Sequence, residues 1–197
     1  MWQGQNIGYD VTSFATFGGT VYAGGTFGSV KGWNGSTWSE VGTFDGAVYA
    51  LQGFGGELFA GGAFSHVSGA AANGLARWDG TTWRALSTAS GNGVTYRGAP
   101  AAVHAFARQG SRLYIGGQFD NAGATPANDV AAWDGVGFTP LGAGANNGIE
   151  PTGYVNALSA SDTDICVGGQ FGSAGGVLSS SIACYTPPDE IFAGTFE

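Results

Sequence analysis

Val21-Tyr22-Ala23-Gly24-Gly25-Thr26-Phe27 returns as Leu58-Phe59-Ala60-Gly61-Gly62-Ala63-Phe64, as Leu113-Tyr114-Ile115-Gly116-Gly117-Gln118-Phe119 and as Ile165-Cys166-Val167-Gly168-Gly169-Gln170-Phe171. Four occurrences of one seven-residue pattern make the chain an array of repeats, and the repeat decides the fold. A second element precedes each copy: Val11-Thr12-Ser13-Phe14, Val48-Tyr49-Ala50-Leu51, Val103-His104-Ala105-Phe106 and Val155-Asn156-Ala157-Leu158. Each is a short apolar, β-branched run between Gly- or Ser-containing turns, which reads as a strand. A third element follows as Trp33-Asn34-Gly35-Ser36-Thr37-Trp38, Trp78-Asp79-Gly80-Thr81-Thr82-Trp83 and Trp133-Asp134-Gly135-Val136-Gly137-Phe138. Asn-Gly or Asp-Gly between aromatic strand residues predicts a hairpin with both turn residues at positive φ.

The unit is therefore four antiparallel strands, A (Val-x-Ala-Leu), B (the Gly-Gly strand), C (ending in Trp) and D (starting at Trp or Phe). Four strands in about 40–50 residues is the size of one propeller blade. The glycine pair is expected where strand B approaches its neighbours too closely for side chains. The chain reads as one repeat domain, 1–197: a partial hairpin over 1–10, then units over 11–42, 43–88, 89–142 and 143–197.

Composition agrees. Glycine occurs 38 times without a three-residue period, aromatics make up 13% and only 10% of residues are charged. That mixture disfavours helices and collagen, and it leaves enough apolar mass for a core. The formal net charge is −8, and the bases are Lys31, Arg77, Arg84, Arg97, Arg108 and Arg112. Such a surface is unsuited to nucleic acid or to anionic lipid. No apolar run reaches membrane-spanning length, and Met1-Trp2-Gln3-Gly4 does not begin a signal peptide.

Gly-Gly closing strand B, followed by Trp-Asp-Gly-x-x-Trp, resembles the kelch repeat of kelch and galactose-oxidase-type β-propellers. It is more similar still to the kelch-like glycine-rich repeats of secreted bacterial proteins. The resemblance covers nearly the whole chain and implies an all-β, propeller-like array of four four-stranded blades, or part of a larger ring. It implies export, to the cell surface or beyond, and says nearly nothing about activity. The tail from Asp189 to Glu197 is similar to acidic-aromatic endings of exported bacterial proteins.

Both ends are out of phase with the repeat. Trp2-Gln3-Gly4 occupies a hairpin position, while the last repeat runs out after Ile182-Ala183-Cys184-Tyr185 at Thr186-Pro187-Pro188. Either the first residues complete the last blade and close a ring of four, or further blades or copies complete a larger one. A non-propeller β arrangement is the remaining alternative.

Cys166 on strand B and Cys184 on strand C fall opposite each other in a hairpin centred near Gly175, a register that permits a disulfide. Two cysteines with no histidine nearby do not make a zinc site. The histidines His66 and His104 stand in different repeats, with no nucleophile-elbow motif. Galactose-oxidase copper chemistry has no matching Tyr, His and Cys constellation. Asp79 and Asp134 belong to turns. Asp162-Thr163-Asp164 and Asp120-Asn121 offer oxygen ligands without completing a calcium loop. No cofactor is expected, calcium being the one ion whose ligands are at hand.

Two groups of residues are left as binding candidates. Thr12, Tyr49, His104 and Asn156 share one variable strand A position, and strand A is innermost in propellers, so these four are expected to ring the axis. The longest insertions, Thr88 to Ala101 and Gly142 to Gly153, are D–A loops that share a face with the B–C loops. There Tyr96, Arg97, His66, Asp120, Asn121, Asn146, Asn147 and Glu150 are the candidate contacts. The leading expectation is a non-catalytic scaffold of an exported protein, its ligand a protein or glycan on the loop face. A self-assembling structural or cell-surface module and a carbohydrate-active enzyme are the alternatives.

Overall fold

The computed structural model describes residues 10–89, 91–144 and 147–188. The alternating apolar runs form antiparallel meanders, with no α-helix among the described residues. Blade 1 is Val11–Phe17, Thr20–Gly25, Ser29–Trp33 and Trp38–Thr43, paired in the order A-B-C-D. Blade 2 is Ala47–Phe54, Glu57–Ala63, Leu75–Trp78 and Trp83–Ala85, and blade 3 is Ala102–Gln109, Arg112–Gln118, Val130–Trp133 and Phe138–Pro140. Blade 4 has Tyr154–Ala160, Ile165–Gln170 and Ile182–Tyr185, and no described residue takes the strand D place. Trp2-Gln3-Gly4, one of the alternatives for completing this blade, and the acidic tail lie outside the described residues. A cavity of about 630 Å³ borders strand C there, its walls including Leu141, Ile149, Val167, Val177, Leu178 and Tyr185.

Three apolar layers join consecutive blades. Tyr22 and Val30 of blade 1 meet Val48, Leu51, Leu58, Trp78 and Trp83 of blade 2. Phe59 and Leu75 of blade 2 meet Val103, Leu113, Ile115, Trp133 and Phe138 of blade 3. Tyr114 and Val130 of blade 3 meet Val155, Ile165, Val167 and Phe171 of blade 4. Burial of side chains of this size, worth about 1.5–3 kcal/mol each, holds the array together.

The two glycines of each pair do different things. A Cβ on the first would collide with the next blade: Gly24 with Val48 Cγ1 at 2.8 Å, Gly61 with Val103 Cγ1 at 2.5 Å, Gly116 with Val155 Cγ1 at 2.6 Å. The first glycine is thus a socket for the neighbour's strand A. A Cβ on the second would strike the carbonyl oxygen of its own strand A: Asp10 at 2.2 Å, Ala47 at 2.0 Å, Ala102 at 2.1 Å, Tyr154 at 2.0 Å. That carbonyl is brought close by a bulge. Strand A skips one residue of its register between Val11 and Ser13, Val48 and Ala50, Val103 and Ala105, Val155 and Ala157. Close backbone approach, not turn formation, fixes the glycine pair.

The C–D hairpins differ from the expected turn. Only Gly35, Gly80 and Gly135 have positive φ, while the preceding Asn34, Asp79 and Asp134 do not. The loops are four residues long, closed by Trp33↔Trp38, Trp78↔Trp83 and Trp133↔Phe138. The Asn or Asp side chain instead accepts two N–H groups ahead of it, from Ser36 and Thr37, Thr81 and Thr82, Val136 and Gly137. An Asx cap therefore replaces a two-glycine-like turn. The Gly137 and Val136 N–H groups hold the Asp134 carboxyl below the usual carboxylate range, against burial that raises it. Asp134→Ala is expected to lower the melting temperature by about 2–4 °C, with Asp134→Asn close to wild type. Equal melting of the two variants in a thermal scan would contradict the cap.

Candidate functional site

A bulge leaves one residue without a partner and re-aims its side chain. In the four blades the skipped residues are Thr12, Tyr49, His104 and Asn156, so the variable strand A position and the bulge are the same feature. The structure links the four in series. Thr12 Oγ1 donates to the Val48 carbonyl at 2.7 Å, beside Tyr49. The Tyr49 and His104 rings meet edge-on at 5.4 Å between centroids, and Tyr154 meets His104 edge-on at 6.4 Å. His104 Nδ1 lies 3.1 Å from Asn156 Oδ1 and 3.2 Å from the Val155 carbonyl. Thr12 and Asn156 are exposed and Tyr49 and His104 partly buried, along the inner edge of the array. An imidazole flanked by two phenols and an amide offers aromatic faces and hydrogen-bonding groups side by side.

The loop face is more ordered than its glycine content suggests. In blades 2 to 4 the B–C connection folds into a small hairpin: His66–Val67 with Ala70–Ala71, Asn121–Ala122 with Thr125–Pro126, Ser173–Ala174 with Val177–Leu178. Each incoming D–A connection lays a buried apolar residue beside it, pairing Phe44 with Val67, Val94 with Ala122 and Ile149 with Ala174. The residue before strand C is left-handed in every blade: Gly28, Gly74, Asp129 and Ser181. In blades 2 to 4 its N–H donates to the carbonyl of Phe64, Phe119 or Phe171, and its carbonyl accepts from Gly62, Gly117 or Gly169. These connections are a second structural layer, not free loops.

The layer uses several of the candidate contacts itself. Glu150 Oε1 accepts the Gly172 N–H at 2.6 Å. Asn147, expected at the surface, is buried and donates to the Pro126 carbonyl at 2.8 Å. Asn146 lies outside the described residues. Asp120 accepts the Arg97 N–H at 2.7 Å and the Asn121 amide at 2.6 Å, so Tyr96, Arg97, Asp120 and Asn121 do come together. Arg97, at φ +52°, holds its guanidinium 5.1 Å from the Tyr96 ring centroid.

Tyr96 also lines an open cleft of about 470 Å³ between blades 2 and 3, with Asp45, Ser65, Pro100 and Gln118. His66 adjoins it. Ser65 Oγ, His66 Nδ1 and Asp45 Oδ2 lie within 2.5–2.9 Å of one another. Both serine and aspartate meet the same ring nitrogen, so the aspartate-to-imidazole-to-serine relay of a hydrolase triad is not formed. Asp45 also accepts the Ser65 and His66 N–H groups at 2.8 Å each. Burial raises its carboxyl, but the Ser65 and His66 hydrogen bonds outweigh that and hold it well below the usual range. The cluster is a clamp, equivalent in place to Glu150 on Gly172. The signal for Asp45 in the sequence is that Phe44-Asp45 and Ile149-Glu150 both precede strand A as an apolar-acid pair.

Among the described residues no three His, Cys, Asp or Glu side chains gather to hold a metal ion. Asp164 accepts from Thr163 and Thr186, whose hydroxyls hold it below the usual carboxylate range. Cys166 and Cys184 pair directly across strands B and C of blade 4 and are joined in a disulfide.

The fold resembles that of the computationally designed Ika4 protein, with a TM-score of 0.57 at 15% identity over 94% of this chain and 99% of that one. It is also similar to the computationally designed Ika8 protein, with a TM-score of 0.51 at 18% identity over 89% of this chain and 45% of that one. The fold is propeller-like. YCF48, solved bound to D1 peptide, aligns with a TM-score of 0.49 at 15% identity over 91% of this chain and 50% of that one. No protein-family model and no curated protein matches the sequence.

Proposed function

We propose that the chain is a non-catalytic binding scaffold of an exported, bacterial, kelch-like protein, holding a protein or glycan ligand at its loop face. The bulged inner position carries this reading. Around it the repeat keeps Val, a small residue (Ser13, Ala50, Ala105, Ala157) and Gly-Gly, while the bulge itself presents Thr, Tyr, His and Asn. A position that the fold re-aims in every blade, yet fills differently each time, is spent on recognition rather than on packing. The cleft with Tyr96, Asp45 and Gln118 lies toward the same end of the strands A and extends the surface. Aromatic faces beside amides and hydroxyls suit sugar rings or peptide groups.

The test is a glycan array run beside a peptide-display library. A ligand from either is expected to lose at least tenfold in affinity with Tyr49→Ala plus His104→Ala, and several-fold with Tyr96→Ala. Unchanged affinity in both would place recognition elsewhere. Release of reducing ends from polysaccharides, lost on Asp120→Asn or Glu150→Gln, would favour an enzyme instead.

A further inference from the structure

Three of the four first-glycine sockets are filled by the next blade, and no described residue fills the fourth. A Cβ on Gly168 would meet nothing nearer than Ala157 Cβ at 3.8 Å and the Ser181 carbonyl at 4.0 Å. Around it, Ile182 takes the place of the buried Val30, Leu75 and Val130 but is 65% exposed. The Cys166–Cys184 bridge stands where Tyr22, Phe59 and Tyr114 pack in the other blades. At the opposite end of the array, Val11 and Phe14 hold the strand A positions that fill the other sockets as Val48 and Leu51, Val103 and Phe106, Val155 and Leu158. Val11 is 36% exposed and Phe14 60% exposed. Val21, whose counterparts Leu58, Leu113 and Ile165 are fully buried, is also open to solvent.

We propose that two copies of this chain dock head to tail, Val11 and Phe14 of each seating on Gly168 and Ile182 of the other. The occupant is defined by the molecule itself. Its own three internal contacts show what a Gly-Gly face accepts, and the first blade presents that same knob with no Gly-Gly face of another blade against it among the described residues. Within one copy, knob and socket stand at the two ends of a row in which each strand A packs on the next. A heterologous contact of this kind closes when the rotation brings the second copy's socket back to the first copy's knob. The bridge between Cys166 and Cys184 suits the docking face, since it replaces a bulky aromatic with a flat, apolar cross-link.

Sedimentation equilibrium over a wide concentration range tests the proposal. Wild-type chain is expected at twice its 19.8 kDa mass. Phe14→Asp adds a charge to an exposed side chain and Gly168→Leu fills open space, so each folds as one copy. Each is expected to raise the dimer Kd by at least roughly 100-fold. An equimolar mixture of the two retains one intact knob and one intact socket, and partial recovery of dimer is expected. Wild type that stays monomeric would overturn the proposal, and if Phe14→Asp then lowered its melting temperature, closure within one copy would be shown instead. A dimer that survives both variants, or a mixture that recovers nothing, would overturn it equally.

Discussion

Gly117→Ala is expected to cost at least about 4 kcal/mol of folding stability, far more than a methyl group ordinarily costs a strand. The added Cβ would stand 2.1 Å from the Ala102 carbonyl oxygen and 2.9 Å from Val103 Cα. Both are backbone atoms held by the bulge, and neither has a rotamer to give. Strands A and B must move apart there, at the Val103↔Gly117 pairing. Gly137→Ala is the control: that glycine lies in the C–D hairpin, has no atom within 4 Å of a built Cβ and does not have positive φ. It is expected to stay within about 0.5 kcal/mol of wild type. Urea denaturation of the two variants separates close approach from a general effect of losing glycine.

Asp129→Asn is expected to stabilise the protein at pH 8 by roughly 2–4 kcal/mol and to have little effect at pH 4. Asp129 is buried at the left-handed position before strand C, where blade 2 has Gly74. Burial pushes its carboxyl up to about 7, and nearby Asp120 adds to the rise, against the Phe119 N–H, which lowers it. A carboxyl raised on folding binds its proton more tightly in the native state. Its contribution is therefore full below pH 4 and is lost as pH climbs through about 7. Asn keeps the acceptor for the Phe119 N–H, now at 2.6 Å, tolerates φ +61° and never ionises. Asp45, Asp79, Asp134 and Asp164 have the opposite sign: hydrogen bonds lower them, and their contribution disappears as pH falls below the ordinary carboxylate value. Wild-type stability is expected to peak near pH 4–5, and Asp129→Asn to broaden that peak toward neutrality. Denaturation midpoints at pH 4, 6 and 8 check this; an equal gain at pH 4 and pH 8 would contradict it.

The blade was legible because its signals are local and repeated. Gly-Gly, Trp-Asp-Gly and the Val-x-Ala-Leu strand each lie within seven residues, and four copies average out accident. The loop layer was not legible. Its strands are two or three residues long, too short for a readable alternation, and Val94 pairs with Ala122 across a gap that no local pattern spans. Glu150 and Asn147 consequently look like free polar groups in the sequence and turn out to tie the layer together. The variable position in strand A was visible, but the bulge that explains it was not. A bulge leaves its trace on the partner strand, as the second glycine, and only the register connects the two. For the turn residues, Asp-Gly predicts positive φ at both positions, while four-residue loop closure leaves that demand on glycine alone.

The most direct test of this account is a double-mutant cycle on stability, pairing Gly116→Ala with Val155→Ala. A Cβ on Gly116 would sit 2.6 Å from Val155 Cγ1, its only contact under 3.0 Å, so trimming Val155 makes room for it. The double variant is expected to be more stable than the sum of the singles by at least about 1 kcal/mol. Gly117→Ala with Val155→Ala is expected to be additive, because that glycine is crowded by its own strand A. Additivity in the first pair, or rescue in the second, would contradict the assignment of one glycine to the neighbouring blade and the other to the bulge.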